Sequence, residues 1–371
     1  MTKHLPRLDS LRGIAALMVG GFHACLSGGT MLVGQYLAWM LSFFFDGRTG
    51  VSIFFVLSGL VLGMSLRRLG AVTPAAYFHF CGRRFFRLYP AYFVSTLIYV
   101  LLYVAIRRCH HKGLPIGHGW CDYYVNSSLS WTDLIKNFFF LNQYLNVATW
   151  TLKVEAQAAF LLPLLHAFSL RFRGRGQALL FVILMGLSLF TSGSTRINLP
   201  LFYLGYMIPP WLHMLRTTRF AERFDKGGML FALAIAALAV SHLFANTGMG
   251  SHLGCLLAGL GSTLLLIAIL MASSHPMFAI LDHRLVKFLG LISYSFYLFN
   301  LLSVDFVQRI VSYSTGTPGN QTLLDWCLVF YISTLLCAAL ASFSFYFVER
   351  PAIKLGGYLL PSYRIKISDP R

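Results

Sequence analysis

The sequence predicts an all-α, polytopic membrane protein with about ten transmembrane helices and both termini in the cytoplasm. Three observations support this class. Of the 371 residues, 57% are hydrophobic and only 11% are charged. The mean hydropathy is +0.67, as in integral membrane proteins. At about 20 residues per span, a chain of this length has room for about ten spans joined by short loops.

Apolar stretches recur along the chain. We predict one helix in each, within a membrane domain over residues 1–356 that a short cytoplasmic tail follows at 357–371. The polar segments 47–50 and 141–146 are natural breaks within the two longest stretches. The stretches are residues 13–30, 36–66, 88–106, 135–170, 178–192, 197–215, 229–246, 253–272, 286–311 and 323–347.

Basic residues determine the predicted orientation. The 30 Lys and Arg residues give a formal net charge of +18, which in a soluble protein would suggest nucleic acid binding. Here they flank apolar spans, and most lie on the inner side when the N-terminus is cytoplasmic. The lipid bilayer is therefore the expected partner and nucleic acid is not. The first apolar stretch shows no signal-peptide cleavage pattern.

Arg12 and His23 are the most informative pair in the first predicted helix. Eleven residues separate them, so three full turns place both on one helix face, roughly 16 Å apart along the axis. An ionisable side chain within a bilayer is expensive and indicates function. The alternative is a snorkelling arginine and a histidine that hydrogen-bonds a neighbouring helix.

Glu155 is a second candidate, because a lone carboxylate inside the end of a span needs a partner or water. Trp150 lies about one and a half turns before it, at the depth of the membrane interface. Three roles remain open for this carboxylate. It bonds backbone N–H groups at the helix start, it orients His23, or it binds a polar acceptor.

Arg83, Arg84 and Arg87 form a basic run that precedes Pro90. They are markers of topology or ligands for a phosphate-rich molecule, for which guanidinium groups have bidentate geometry. In the segment before them, the small residues at 58 and 59 indicate close helix packing.

Two further groups of polar residues have simpler interpretations. Asp305 and Arg309 are four residues apart, which predicts a local ion pair on one helix. The segment 109–121 suggests a zinc site, a disulfide between its two cysteines or a plain polar loop, and its spacing matches no zinc signature. Its cysteines and histidines are Cys109, His110, His111, His118 and Cys121.

Taken together, these segments resemble acyltransferase family 3, the integral membrane O-acyltransferases of the O-antigen and exopolysaccharide acetylase type. The resemblance runs from Leu8 to about Gly356. Six motifs occur in the family's order: Arg12 and His23; FFVLSG at 54–59; R-R-x-x-R-x-x-P at Arg83, Arg84, Arg87 and Pro90; W-T-L-x-x-E at Trp150, Thr151, Leu152 and Glu155; G-x-I-S-Y-S-x-Y-L at Gly290, Ile292, Ser293, Tyr294, Ser295, Tyr297 and Leu298; and E-R-P at Glu349, Arg350 and Pro351.

The sequence departs from the family pattern at two positions. Asn300 stands where many members have a histidine, and Ser52 stands where many have an aspartate. The first departure leaves open whether this protein lacks an assisting group or uses another one.

The resemblance implies transfer of an acyl group, often acetyl, from cytoplasmic acyl-CoA to a hydroxyl group. Typical acceptors are O-antigen, exopolysaccharide, peptidoglycan-related glycans, nodulation factors and macrolides. It implies acyl-CoA as a co-substrate, no bound cofactor or metal, a carbohydrate or lipid-linked glycan as acceptor, and a bacterial inner membrane location.

The resemblance also suggests roles for the candidate residues. His23 acts as general base or acyl relay, and Glu155 fixes its tautomer or holds the sugar. Ser293, Tyr294 and Ser295 bond the acceptor or pack. Arg12 belongs with His23 and Glu155 among the catalytic residues and stands between the CoA phosphates and the membrane interior. The CoA and substrate ligands are Arg83, Arg84, Arg87 and Trp150.

The alternatives belong to other classes. One is a proton-coupled transporter that uses Arg12, His23 and Glu155, and another is an inactive sensor or structural relative.

Overall fold

A computed structural model describes residues 6–27, 41–70, 72–112, 129–172, 175–190, 194–217, 226–244, 248–272, 275–315 and 322–361. Within these ranges the chain is helical and contains no strand, which confirms the predicted all-α class. A long helix lies in each predicted apolar stretch. The helices are α1 (Pro6–Ser27), α2 (Gly47–Leu69), α3 (Pro74–His111), α4 (Trp131–Phe138), α5 (Trp150–Arg171), α6 (Arg175–Phe190), α7 (Ser194–Thr217), α8 (Lys226–Leu243), α9 (Gly248–Met271), α10 (Arg284–Thr315), α11 (Leu323–Ser344) and α12 (Arg350–Leu359).

Several of these helices are suited to a lipid environment. In the described part of the chain, five are long and apolar enough to cross a membrane, so the protein is a multi-pass membrane protein. These five are Leu41–Leu69, Pro74–Cys109, His252–Met271, Arg284–Ser314 and Leu323–Leu359. The count of ten spans and the cytoplasmic side of both termini remain predictions.

The predicted break at 141–146 is confirmed, whereas the segment 47–50 is itself helical and directly follows a break at residues 45 and 46. Helix α2 begins at Gly47, the first residue of the Gly-Arg-Thr-Gly segment. In the other long stretch, α4 ends at Phe138 and α5 begins only at Trp150. Between them Asn146 caps a 3-10 turn through its side-chain oxygen, which accepts a hydrogen bond from the backbone N–H of Ala148 at 3.1 Å. A helix therefore starts anew five residues before Glu155.

The chain divides into two compact units. The first comprises the described parts of residues 1–50, 88–152 and 281–351, and the second those of residues 51–87, 153–280 and 352–371.

In the first unit, glycine lets α1 and α10 run side by side and parallel. A Cβ atom on Gly13 would lie 2.5 Å from the backbone nitrogen of Gly290, so neither position has space for a side chain. One and a half to two turns further on, Gly20 faces the ring of Phe296 and the Cβ of Asn300. The two helices therefore approach at backbone distance, and facing residues keep the same order along both.

In the second unit, the same device joins α2 and α7. A Cβ atom on Gly59 would lie 2.0 Å from the carbonyl oxygen of Phe202, and one on Gly205 would lie 1.9 Å from that of Val56. The predicted packing role of Gly59 is therefore confirmed. Close packing against α7 therefore fixes the position of α2, and of its polar residues, within this unit.

Candidate active site

His23 lies near the end of α1, half-buried, and meets one side chain of α10. Its Nδ1 atom is 2.7 Å from Oδ1 of Asn300, which is buried. Because an amide oxygen only accepts hydrogen bonds, this contact places the ring hydrogen on Nδ1 and leaves the lone pair on Nε2. An imidazole in that tautomer has a basic nitrogen available to a hydroxyl group.

Arg12 lies on the same helix, one helical turn after an acidic residue that the sequence analysis passed over. Its Nη1 is 3.7 Å from Oδ1 of Asp9. An arginine with an adjacent carboxylate at the start of a helix is partly neutralised there. The signal was present in the sequence as an i, i+3 pair.

Glu155 is held in the second unit by two donors. Its Oε1 accepts a hydrogen bond from Oγ of Ser58 at 3.0 Å and forms an ion pair with the guanidinium of Arg84. Both charged side chains are largely buried, with relative exposures of 10% for Arg84 and 17% for Glu155. The guanidinium therefore offsets the cost of burying this carboxylate, and Ser58 contributes a hydrogen bond as well as its small size.

The three arginines of the basic run differ in their surroundings. They lie within the long helix α3, ahead of Pro90, and Arg84 points into the protein towards Glu155. Arg83 is exposed and Arg87 is half-buried one turn later. The pair Arg83 and Arg87 thus shares the outer face, where two guanidinium groups have the spacing to meet a phosphate-rich ligand.

Trp150 is half-buried at the first residue of α5, and its neighbour Thr151 links two of the sequence motifs. The Oγ1 of Thr151 donates to the hydroxyl oxygen of Tyr297 at 2.8 Å, and this tyrosine in turn donates to the carbonyl oxygen of Ala148 at 2.8 Å. The amide of Asn146 donates to the carbonyl oxygen of Leu298 at 3.2 Å. These contacts hold the start of α5 against the middle of α10.

The hydroxyl groups of Ser293, Tyr294 and Ser295 all donate within the protein. Ser293 donates to the carbonyl oxygen of Gly290 at 2.8 Å, one turn earlier in its own helix. Tyr294 donates to the carbonyl oxygen of Leu88 at 2.6 Å. These two contacts favour the packing role that the sequence analysis left open.

Ser295 meets a carboxylate that the sequence analysis noted only as part of a motif. Its Oγ lies 2.8 Å from Oε2 of the buried Glu349. Glu349 ends a π-helical turn, Phe345–Glu349, in which the N–H of Arg350 donates to the carbonyl oxygen of Phe345. Pro351 follows and has no N–H group to continue the α-helical ladder, which accounts for the local change.

The remaining polar groups have separate outcomes. The ion pair of Arg309 with Asp305 is confirmed, with Nε and Oδ2 2.9 Å apart. Of the cysteine and histidine segment, His118 and Cys121 lie outside the described residues, so its disulfide and zinc hypotheses stay open. Among the residues that the structure describes, no group of three metal-ligating side chains converges.

Comparisons with known proteins agree with these motifs. The sequence model of a family described as an acyltransferase domain matches residues 5–343. Over 167 residues, the chain is 30% identical to a protein named acyltransferase MdmB from Streptomyces mycarofaciens. That match covers 43% of this chain and 38% of the relative, so the chain spans less than two-fifths of the curated relative's length. No solved structure matches the chain.

Proposed function

Because this chain belongs to acyltransferase family 3, we propose that it is a membrane O-acyltransferase that moves an acyl group from acyl-CoA to a hydroxyl group. Acetyl is the proposed acyl group and a carbohydrate or lipid-linked glycan the proposed acceptor. The proposed location is a bacterial inner membrane. The observation that carries the proposal is the half-buried imidazole of His23, whose Nδ1 is paired and whose Nε2 is the basic nitrogen.

In the proposed reaction, Nε2 of His23 takes the proton of the acceptor hydroxyl as its oxygen attacks the thioester carbonyl carbon. The new C–O bond forms, the C–S bond breaks, and the imidazolium returns the proton to the CoA thiolate. In the relay variant, Nε2 itself attacks the thioester carbonyl carbon, the C–S bond breaks, and CoA leaves as the thiolate. The hydroxyl oxygen then attacks the acyl carbon, the C–N bond to Nε2 breaks, and the hydroxyl proton passes to the thiolate. Trapping an acylated protein in the absence of acceptor distinguishes the two routes.

The charged residues receive distinct proposed roles. Arg83 and Arg87, which share the outer face of α3, bind phosphates of CoA. Arg12 supplies a further positive charge in the path of the donor. Glu155 is already neutralised by Arg84, so its proposed role is to accept hydrogen bonds from acceptor hydroxyls. Trp150, the first residue of α5, is the proposed surface on which a sugar ring stacks.

The test is release of free thiol from acetyl-CoA by purified protein in liposomes, with extracted cell-surface glycans as acceptor. We expect release that requires both the acceptor and His23, with a loss of about 10²–10⁴-fold in His23→Ala. His213→Ala is the matched control, because that histidine is exposed on α7. Undiminished release in a well-folded His23→Ala protein would exclude His23 as base or relay.

The same measurement addresses the transporter alternative. A transporter does not cleave the thioester, whereas an acyltransferase releases one thiol for each ester that it forms. Absence of thiol release across several acyl-CoA donors and acceptors, from folded protein, would contradict the proposed function.

A further inference from the structure

We propose that Asn300 is a positioning residue that holds His23 in its Nδ1–H tautomer and thereby makes Nε2 the reacting nitrogen. The kinetic consequences of this inference rest on the proposed function. The tautomer rests only on the contact between His23 and Asn300. The proposal assigns a role to the position at which this sequence departs from the pattern of many relatives.

The contact is short and rigidly supported. Nδ1 of His23 and Oδ1 of Asn300 are 2.7 Å apart, and the asparagine is only 2% exposed. Both residues stand on long helices, and the glycines at 13 and 290 let the backbones of these helices come into contact. The helices α1 and α10 run parallel from the Gly13–Gly290 contact, and the His23–Asn300 contact lies ten residues further along both of them.

An asparagine at position 300 lowers the stability of the protein unless its amide has a function at the imidazole of His23. The amide nitrogen of Asn300 is buried and has no hydrogen-bond partner among the described residues. A buried donor without a partner destabilises a protein, and an apolar residue of similar size would avoid that cost. The benefit that remains is the amide oxygen, which faces the imidazole.

The chemistry of an amide suits this task. The oxygen accepts a hydrogen bond from Nδ1–H whether the ring is neutral or protonated, so the ring keeps its orientation while Nε2 gains and loses a proton. The bond strengthens when the imidazolium forms, because its donor is then charged. An amide does not ionise, so it leaves the ring less basic than a carboxylate would.

Three variants test the role by kinetics. Asn300→Leu removes the acceptor, and we expect kcat to fall at least about 10-fold with the KM for acyl-CoA unchanged. Asn300→Asp keeps an acceptor oxygen and adds a charge that favours the imidazolium. It should retain most of kcat and move the acidic limb of the pH–rate profile to higher pH. Ser303→Ala is the control on the same helix, where the hydroxyl donates to the carbonyl oxygen of Phe299.

A nitrogen NMR spectrum of ¹⁵N-histidine-labelled protein tests the tautomer without any activity. We expect the His23 signals, assigned by their loss in His23→Ala, to show a protonated Nδ1 in the wild type and a tautomer mixture in Asn300→Leu. A protonated Nε2 in the neutral wild-type ring would overturn the proposal. So would wild-type kcat in folded Asn300→Leu, or an unmoved pH profile in Asn300→Asp.

The two proposals fail separately. If the wild type releases no thiol but shows a protonated Nδ1, the acyl-transfer proposal fails and the positioning role of Asn300 stands. If thiol release requires His23 but the NMR spectrum shows a protonated Nε2, the acyl-transfer proposal stands and the positioning role of Asn300 fails. If Asn300→Leu does not fold, the NMR spectrum of the wild type and the pH–rate profile of Asn300→Asp still test the positioning role of Asn300.

Discussion

The hydroxyl of Ser295 donates a hydrogen bond to Oε2 of Glu349 at 2.8 Å, which joins the middle of α10 to the π-helical turn before α12. Both residues are buried, and Ser344 lies 3.2 Å from the same hydroxyl. A buried carboxylate depends on each donor that faces it, so this contact holds the end of the α11 helix in place.

Ser295→Ala should therefore destabilise the protein more than an ordinary serine substitution. The loss of one donor to a buried carboxylate should cost about 1–3 kcal/mol. Thermal unfolding in detergent micelles measures this effect. Ser303→Ala removes an equally buried hydroxyl that donates to a backbone carbonyl rather than to a carboxylate, so its effect should be clearly smaller. Equal effects of the two variants would show that Glu349 does not need Ser295.

Gly13→Ala should weaken both stability and activity. The new Cβ would lie 2.5 Å from the backbone nitrogen of Gly290, and backbone cannot move aside as a side chain can. We expect a loss of about 1–3 kcal/mol and a fall in kcat, because separation of α1 from α10 breaks the His23–Asn300 contact.

Gly186→Ala is the matched control for that experiment. A Cβ atom at Gly186 on α6 would meet nothing within 4 Å, so alanine should raise stability by up to about 1 kcal/mol through its helix propensity. Unchanged thiol release in Gly13→Ala would contradict the close approach of α1 and α10.

Substitution of Arg84 should lower the stability of the protein, whereas substitution of Arg83 should change only its affinity for acyl-CoA. Arg84→Leu leaves the largely buried carboxylate of Glu155 without its counter-charge, which should cost about 2–3 kcal/mol of stability. The double variant Arg84→Leu, Glu155→Gln removes both charges and should regain most of that stability without regaining activity. Failure of the second substitution to restore stability would show that the two charges are not coupled.

Arg83→Ala should instead leave stability within about 0.5 kcal/mol, because the residue is exposed. Under the proposed function it should raise the KM for acyl-CoA about 10-fold through the loss of one charge-assisted contact to phosphate. Arg68→Ala, an exposed arginine on α2, is the control for a general effect of charge. A KM that changes equally in both variants would argue against a phosphate site at Arg83.

Acid should weaken the contact between the start of α1 and the turn that precedes α10. Arg7 donates to Asp282 and lowers the pKa of that carboxyl below its ordinary value, with Lys287 adding to the effect. A carboxyl whose pKa is lower in the folded state stabilises the fold above its unfolded pKa of about 3.9 and loses that contribution as the pH falls through the folded value.

The melting temperature of the wild type should therefore fall more than that of Asp282→Asn between about pH 6 and about pH 3. Because the pair is exposed, high salt should reduce this difference. Parallel pH curves for the two proteins at low salt would contradict the contribution of the pair.

Local patterns predicted most of the secondary structure correctly. The new helix start at Trp150 and the ion pair of Asp305 with Arg309 both depend on residues that are close in the chain. Such features follow from apolar run length, turn residues and helical spacing. The motif resemblance likewise identified the family, because it needs only residue types in order.

The partners of the candidate residues were not predictable in the same way. Ser58 and Glu155 are 97 positions apart, and His23 and Asn300 are 277 apart. From the sequence it stayed open whether Asn300 marks a missing assisting group, and the three arginines were treated alike. The structure pairs Asn300 with His23 and separates Arg84, which binds Glu155, from the exposed Arg83.

The sequence by itself therefore determined the helices, the membrane class and the family, because hydropathy, helix breaks and motif order are properties of neighbouring residues. Only the tertiary structure decided which nitrogen of His23 is paired and which charge neutralises Glu155. These contacts depend on how closely helices distant in sequence approach. For α1 and α10, the glycines at 13 and 290 allow that close approach, because neither carries a side chain that would separate the two backbones.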